Sequence, residues 1–100
     1  MKNWRLEMTL KGIGKELTAL ESFRITDHLN LGKFGQRMLD LSKDVESAAN
    51  LIDRGKATSE QMQSFVELLP RIAGLSQKAF TSSAEVAQRF LPPQPEDPPR

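Results

Sequence analysis

Between Phe34 and Ile52 the apolar residues fall at Phe34, Met38, Leu41, Val45, Ala48 and Ile52. Steps of four and three are the rhythm of one face of an α-helix. The residues between them are mostly polar, among them Gln36, Arg37, Asp40, Lys43, Asp44, Glu46 and Asn50. A helix with one apolar stripe must bury it against something. The rest of the chain is therefore read for partners to this segment.

Residues 3–23 fit two templates. On the helical one, Leu6, Leu10, Ile13, Leu17 and Leu20 form a coiled-coil-like seam. On the strand one, Trp4, Leu6, Met8 and Leu10 alternate with Arg5, Glu7, Thr9 and Lys11. The helix carries Gly12 and Gly14 in its interior, at about 1 kcal/mol each relative to alanine. The strand turns those glycines into a loop but requires a second strand beside it. The continuous helix is preferred because everything downstream is helical.

Residues 24–33 break the pattern. Thr26 can cap a short helical turn, and Gly32 and Gly35 suit a connection into the central helix at Phe34. That helix should end at Asp53-Arg54-Gly55-Lys56, with Gly55 in the left-handed conformation that closes many helices. Thr58 then offers an N-cap, and Gln61 completes a capping box, T-S-E-Q. Residues 34–54 and 59 onward are thus expected to form an antiparallel helical hairpin.

The third helical region reads Met62, Phe65, Leu69, Ile72, then Ser76, Ala79, Ser83, Val86 and Phe90. Pro70 lies inside it. An internal proline removes one helical hydrogen bond and clashes with the preceding turn, so a kink or short break is expected near Leu69–Pro70. A straight helix over 59–90 would run about 45 Å, against about 30 Å for 34–53. Either Pro70 folds the long helix back or its far half finds a partner. The tail LPPQPEDPPR holds five of the six prolines and is expected to be extended and disordered. The domain division is therefore 1–91 as a single helical domain and 92–100 as the tail. The fold class is mainly α, a small helical bundle built on the antiparallel hairpin, with the N-terminal element a helix or a strand.

Composition narrows the function more than it defines it. A chain of 100 residues suits one domain with a modest core. There are no cysteines, which rules out disulfides, thiolate metal sites and cysteine nucleophiles. Net charge is +1, so no global field favours nucleic acid or an anionic membrane. Residues 1–43 carry eight basic and five acidic side chains and the remainder six and eight. So mild a polarity is ordinary for solvated charge. No apolar run approaches the roughly 20 residues of a membrane span, and the N-terminus lacks the apolar core of a secretory signal. The expected location is the cytoplasm.

The candidate chemistry is sparse. His28 has Asp27 beside it but no nucleophile at a recognisable spacing, and a turn or cap role suits it better. Asp40 and Asp44 lie four apart on one helix without a histidine, the pattern of a solvated face rather than a metal site. Lys11-Gly12-Ile13-Gly14-Lys15 lacks the spacing of a phosphate loop. Arg89-x-x-Pro92-x-x-Pro95 and Pro95-x-x-Pro98-x-Arg100 fit proline-rich ligand patterns, which any proline-dense tail produces. Trp4 with Arg5, Thr9, Lys11 and Lys15 forms a basic, aromatic N-terminal patch. If residues 4–11 were a strand, the order strand, helix, helix resembles that of dimeric ribbon-helix-helix DNA-binding proteins, whose outward strand residues enter the major groove. On that alternative the nucleic-acid contacts are Arg5, Thr9, Lys11 and Lys15.

The favoured expectation is a non-enzymatic protein-protein interaction module without a cofactor: a small adaptor, chaperone-like or regulatory protein offering apolar helical surface to another protein or to itself as a homodimer. Its expected interface anchors are Trp4, Met8, Phe65, Phe80, Val86 and Phe90, because large apolar side chains dominate such contacts.

Overall fold

The computed structural model describes residues 3–90. They form three helices in sequence: α1 (Trp4–Glu21), α2 (His28–Asp53) and α3 (Ser59–Phe90). The Phe90 side chain and the proline-rich segment 91–100 lie outside the described residues, and with them the tail expected at 92–100.

The helical template holds for the N-terminal segment, and the strand template at residues 4–11 is overturned. Asn3 caps α1, its side-chain oxygen accepting from the Leu6 N–H at 2.9 Å. The seam Leu6, Leu10, Ile13, Leu17 and Leu20 is buried along its whole length. Burying five large aliphatic side chains outweighs the two interior glycines. The opposite stripe, Trp4, Met8, Lys11 and Lys15, faces solvent.

The central helix begins at His28 rather than Phe34. Gly32 and Gly35 are inside it. Asp27, not Thr26, supplies the cap: its carboxylate accepts from the Asn30 N–H at 2.8 Å. The Thr26 hydroxyl instead donates to the Asn30 side-chain oxygen at 2.7 Å. Phe34, Leu41 and Ala48 are fully or almost fully buried, with Met38, Val45 and Ile52 packed against the same core.

The α2–α3 turn has the expected form. Gly55 takes φ 72°, in the left-handed region that favours glycine. Its N–H donates to the Ile52 carbonyl, and the Lys56 N–H to the Leu51 carbonyl, both at 3.0 Å. That pair of bonds is the Schellman closure, which satisfies carbonyls a helix end leaves open. The capping box follows at once: the Gln61 N–H donates to Thr58 Oγ1 and the Thr58 N–H to Gln61 Oε1, each at 3.1 Å.

α3 passes through Pro70 without a break in the helix. The short break is absent because both flanks are anchored. Phe65 and Leu68 pack on the core before the proline, and Ile72 and Leu75 after it. Pro70 itself is exposed, so its missing N–H costs a hydrogen bond without opening a cavity.

The far half of α3 is occupied by the end of α1 and the connection after it. Lys78 Nζ donates to the Leu20 and Glu21 carbonyls at 2.9 and 3.0 Å, closing an α1 terminus that has no basic residue of its own. The same ammonium lies 5.6 Å from the Phe34 ring centre. Farther on, Arg89 donates to the Thr26 carbonyl at 3.3 Å. Together with the earlier start of α2, this accounts for the length mismatch between the helices of the hairpin.

Arg71 forms a forked pair with Glu21, at 2.6 Å from Nη2 and 3.1 Å from Nε, and also reaches Thr18 Oγ1. The guanidinium holds the Glu21 carboxyl below the usual carboxylate range. A carboxyl whose pKa is lower folded than unfolded stabilises the fold above its unfolded pKa and loses that contribution as pH falls through the folded one. Urea midpoints for the native chain and Glu21→Gln should therefore differ at neutral pH and converge in acid. A difference independent of pH would show that the pair acts by packing alone.

Candidate functional site

Three-helix packing uses one stripe of each helix. α3 carries two. Its inner stripe, Gln61, Phe65, Leu68, Ile72, Leu75 and Ala79, is buried or half-buried. The outer stripe runs Met62, Val66, Leu69, Ala73, Ser76, Phe80, Ser83 and Ala87, stepping four and three throughout. All but the half-buried Ala87 are exposed. Phe80 is 74% exposed, and Val66 59%. In a helix that carries an inner core stripe already, a second apolar repeat at this spacing is the geometry of another helix-packing seam.

The charges of α3 sharpen the reading. They are Glu60, Glu67, Arg71, Lys78, Glu85 and Arg89, at steps of seven and four. Such spacing gathers them on a single stripe, the one that reaches α1 through Arg71 and Lys78. The outer seam and the residues flanking it, Gln63, Pro70, Gln77 and Thr81, are all uncharged. An exposed helix face without charge is unusual for a surface meant for water.

The five expected anchors whose side chains are described do not come together. Trp4, 75% exposed, and Met8 stand on the outer face of α1, separated from the α3 seam by the charged stripe. Phe80 lies in the seam itself. Phe65 is half-buried against the core, and Val86 is buried, 7% exposed. Phe90 ends α3, and its side chain is outside the described residues. Met62, Val66 and Leu69 belong to the outer seam and were not among the expected anchors.

The four basic-patch residues divide between two faces of α1, Lys11 and Lys15 on the outer stripe and Arg5 and Thr9 on the side toward α2. Arg5 and Thr9 line an open groove of about 450 Å³ between α1 and α2, with Ser47, Asn50, Leu51 and Arg54. Lys11 borders a second groove, toward α3, with Glu7, Glu67 and Arg71. Lys15 is exposed on the outer face of α1 and lines neither groove. The second groove mixes both signs of charge.

His28 is the first residue of α2, next to the capping Asp27. Among the described residues no three histidine, aspartate or glutamate side chains gather as a metal site would require, and no helix is long and apolar enough to cross a membrane. Comparison of the chain with protein-family models, with curated proteins and with solved structures returns no match.

Proposed function

We propose that this chain is a protein-protein interaction module, of the adaptor or regulatory kind and without catalysis of its own, whose docking surface is the outer seam of α3. The observation that carries the reading is the second heptad on one helix, Met62 to Ala87, free of charge and exposed from Met62 to Ser83. Large apolar side chains held on a rigid helix are what a helical partner recognises. The nucleic-acid alternative rests on a paired strand at residues 4–11; that segment is helix, with Arg5 on a different face from Lys11 and Lys15, which leaves the alternative without its premise.

The test places a photo-reactive phenylalanine analogue at Phe80 and, as a control, at Lys43, which is exposed on α2. In the cells that make the protein, illumination should give a discrete protein adduct from position 80 and none from position 43. No adduct from position 80, or equal labelling from both, would overturn the reading.

A further inference from the structure

We propose that the occupant of the α3 seam is a second copy of this chain, docked antiparallel about a two-fold axis that passes between Ala73 and Ser76. This rests on the interaction-surface reading above and names its partner.

The size pattern along the seam argues for it. An antiparallel pairing centred between residues 74 and 75 sets Met62 against Ala87, Val66 against Ser83, Leu69 against Phe80 and Ala73 against Ser76 of the second copy. At the two ends each layer matches a large side chain with a small one, so that the pair fills space without overpacking. At the crossing point Ala73 and Ser76 are both small, which lets the backbones approach. Between centre and ends, Leu69 and Phe80 meet as the two large contacts, once on each side of the axis. A two-fold interface must be self-complementary in this way, residue i meeting j and j meeting i.

Charge argues in the same direction. A basic or acidic partner would find nothing on the seam to pair with, because every α3 charge lies on the stripe that packs toward α1. An uncharged helix face of matching length is the complement, and α3 supplies one. On the flank away from the core, Gln63, Pro70, Gln77 and Thr81 bring no charge against a second copy.

The area sets the strength. From Met62 to Ala87 the seam is about 38 Å long, and a helix is about 10–12 Å across. That footprint is about 400 Å² per protomer, to which the half-buried Phe65 and Ile72 beside the seam add. Doubled to about 800 Å², the pair lies below the roughly 1,200–2,000 Å² of standard specific interfaces, so the expected dimer is weak and reversible, with a dissociation constant in the micromolar range.

The absence of cysteine makes the geometry directly readable. Val66→Cys and Ser83→Cys are both mild changes at exposed positions. In the antiparallel dimer residue 66 faces residue 83 of the second copy, whereas two copies of residue 66 stand about 25 Å apart along the helix. A disulfide needs Cα atoms within about 7 Å. Mild oxidation of the mixed variants should therefore give a disulfide-linked pair, and each variant alone should give at least about tenfold less. Sedimentation of the unaltered full chain over a concentration series should show mass rising to twice the chain mass. Phe80→Glu should weaken the dimer at least about tenfold with helicity unchanged.

Self-linking of each variant in preference to the mixed pair would mean a parallel or different arrangement and would overturn the proposal. So would a chain that stays monomeric to high micromolar concentration. If it is monomeric while position 80 still captures a different protein in cells, the second copy is excluded and the interaction surface stands. If it is monomeric and captures nothing, both fail.

Discussion

Replacing Phe34 with alanine is expected to lower the unfolding free energy by about 3–5 kcal/mol. The ring is fully buried at the end of the core beside the α1 C-terminus and tilts against Phe23 at 5.7 Å between centroids. The Lys78 ammonium lies 5.6 Å from the ring centre while holding the end of α1. Truncation removes apolar area, leaves a cavity and strips Lys78 of the surface that orients it. A domain of this size has about 5–15 kcal/mol in all, so much of the population should unfold at moderate urea. Leu39→Ala on the same helix is the matched control: Leu39 is exposed, and the change should stay within about 0.5 kcal/mol. Far-UV circular dichroism through a urea titration measures both. Equal midpoints would mean that Phe34 does not anchor the core.

Phe34 was visible in the sequence as the first member of the central stripe, and the reason it was visible is local. Periodicity, a capping box and a left-handed glycine are properties of a few adjacent residues. Phe34 to Ile52, Thr58 to Gln61 and Gly55 all fold as their neighbours dictate. The features that were not legible depend on distant partners. Gly32 and Gly35 signalled a connection, yet Asp27 caps the helix earlier, and Phe34 reaches the core only because α2 is already in register there. Pro70 signalled a break, yet packing of Phe65, Leu68, Ile72 and Leu75 holds the two halves of α3 in one helix. In both cases tertiary burial outweighed a local penalty of a few kcal/mol.

The α3 seam shows a subtler limit. The sequence offers Met62, Phe65, Leu69, Ile72, Ser76, Ala79, Ser83, Val86 and Phe90 as one stripe. The structure divides them: Phe65, Ile72, Ala79 and Val86 turn inward, and Met62, Leu69, Ser76 and Ser83 outward. Two heptads offset by one residue overlap on a helix, and their average looks like a single wide face. Only the positions of α1 and α2 show where the inward share ends. The signal that was available is charge: Glu60, Glu67, Arg71, Lys78, Glu85 and Arg89 already fall on one stripe, leaving an uncharged arc wider than one core face needs.

Gln61→Glu should be among the most damaging single-atom changes in the chain. Gln61 is the one polar side chain buried among the described residues, 1% exposed. Its amide joins three places at once. Oε1 accepts from the Thr58 N–H, and Nε2 donates to the Asn3 carbonyl at 3.0 Å and to a Glu7 carboxylate oxygen at 3.1 Å. One residue thus closes the α2–α3 turn and ties it to the first turn of α1. A carboxylate there keeps the acceptor but loses both donors, and it sets a second negative charge against Glu7. An uncompensated buried charge costs about 3–5 kcal/mol. The cost must depend on pH. Burial and the Glu7 carboxylate would raise the folded pKa of the substituted side chain above its unfolded value, so the folded state would bind the proton more tightly. Stability lost by the variant should then be largest at neutral pH and shrink as pH falls toward the unfolded carboxylate range, where the protonated acid again donates one hydrogen bond. This is opposite in sign to the Glu21 dependence, in which acid removes stability. Gln61→Leu separates charge from lost hydrogen bonding, because its deficit should not change with pH through that window. Unfolding of the three chains at several pH values, with the variants compared to the native chain at each, would reject the assignment if the glutamate and leucine deficits ran parallel.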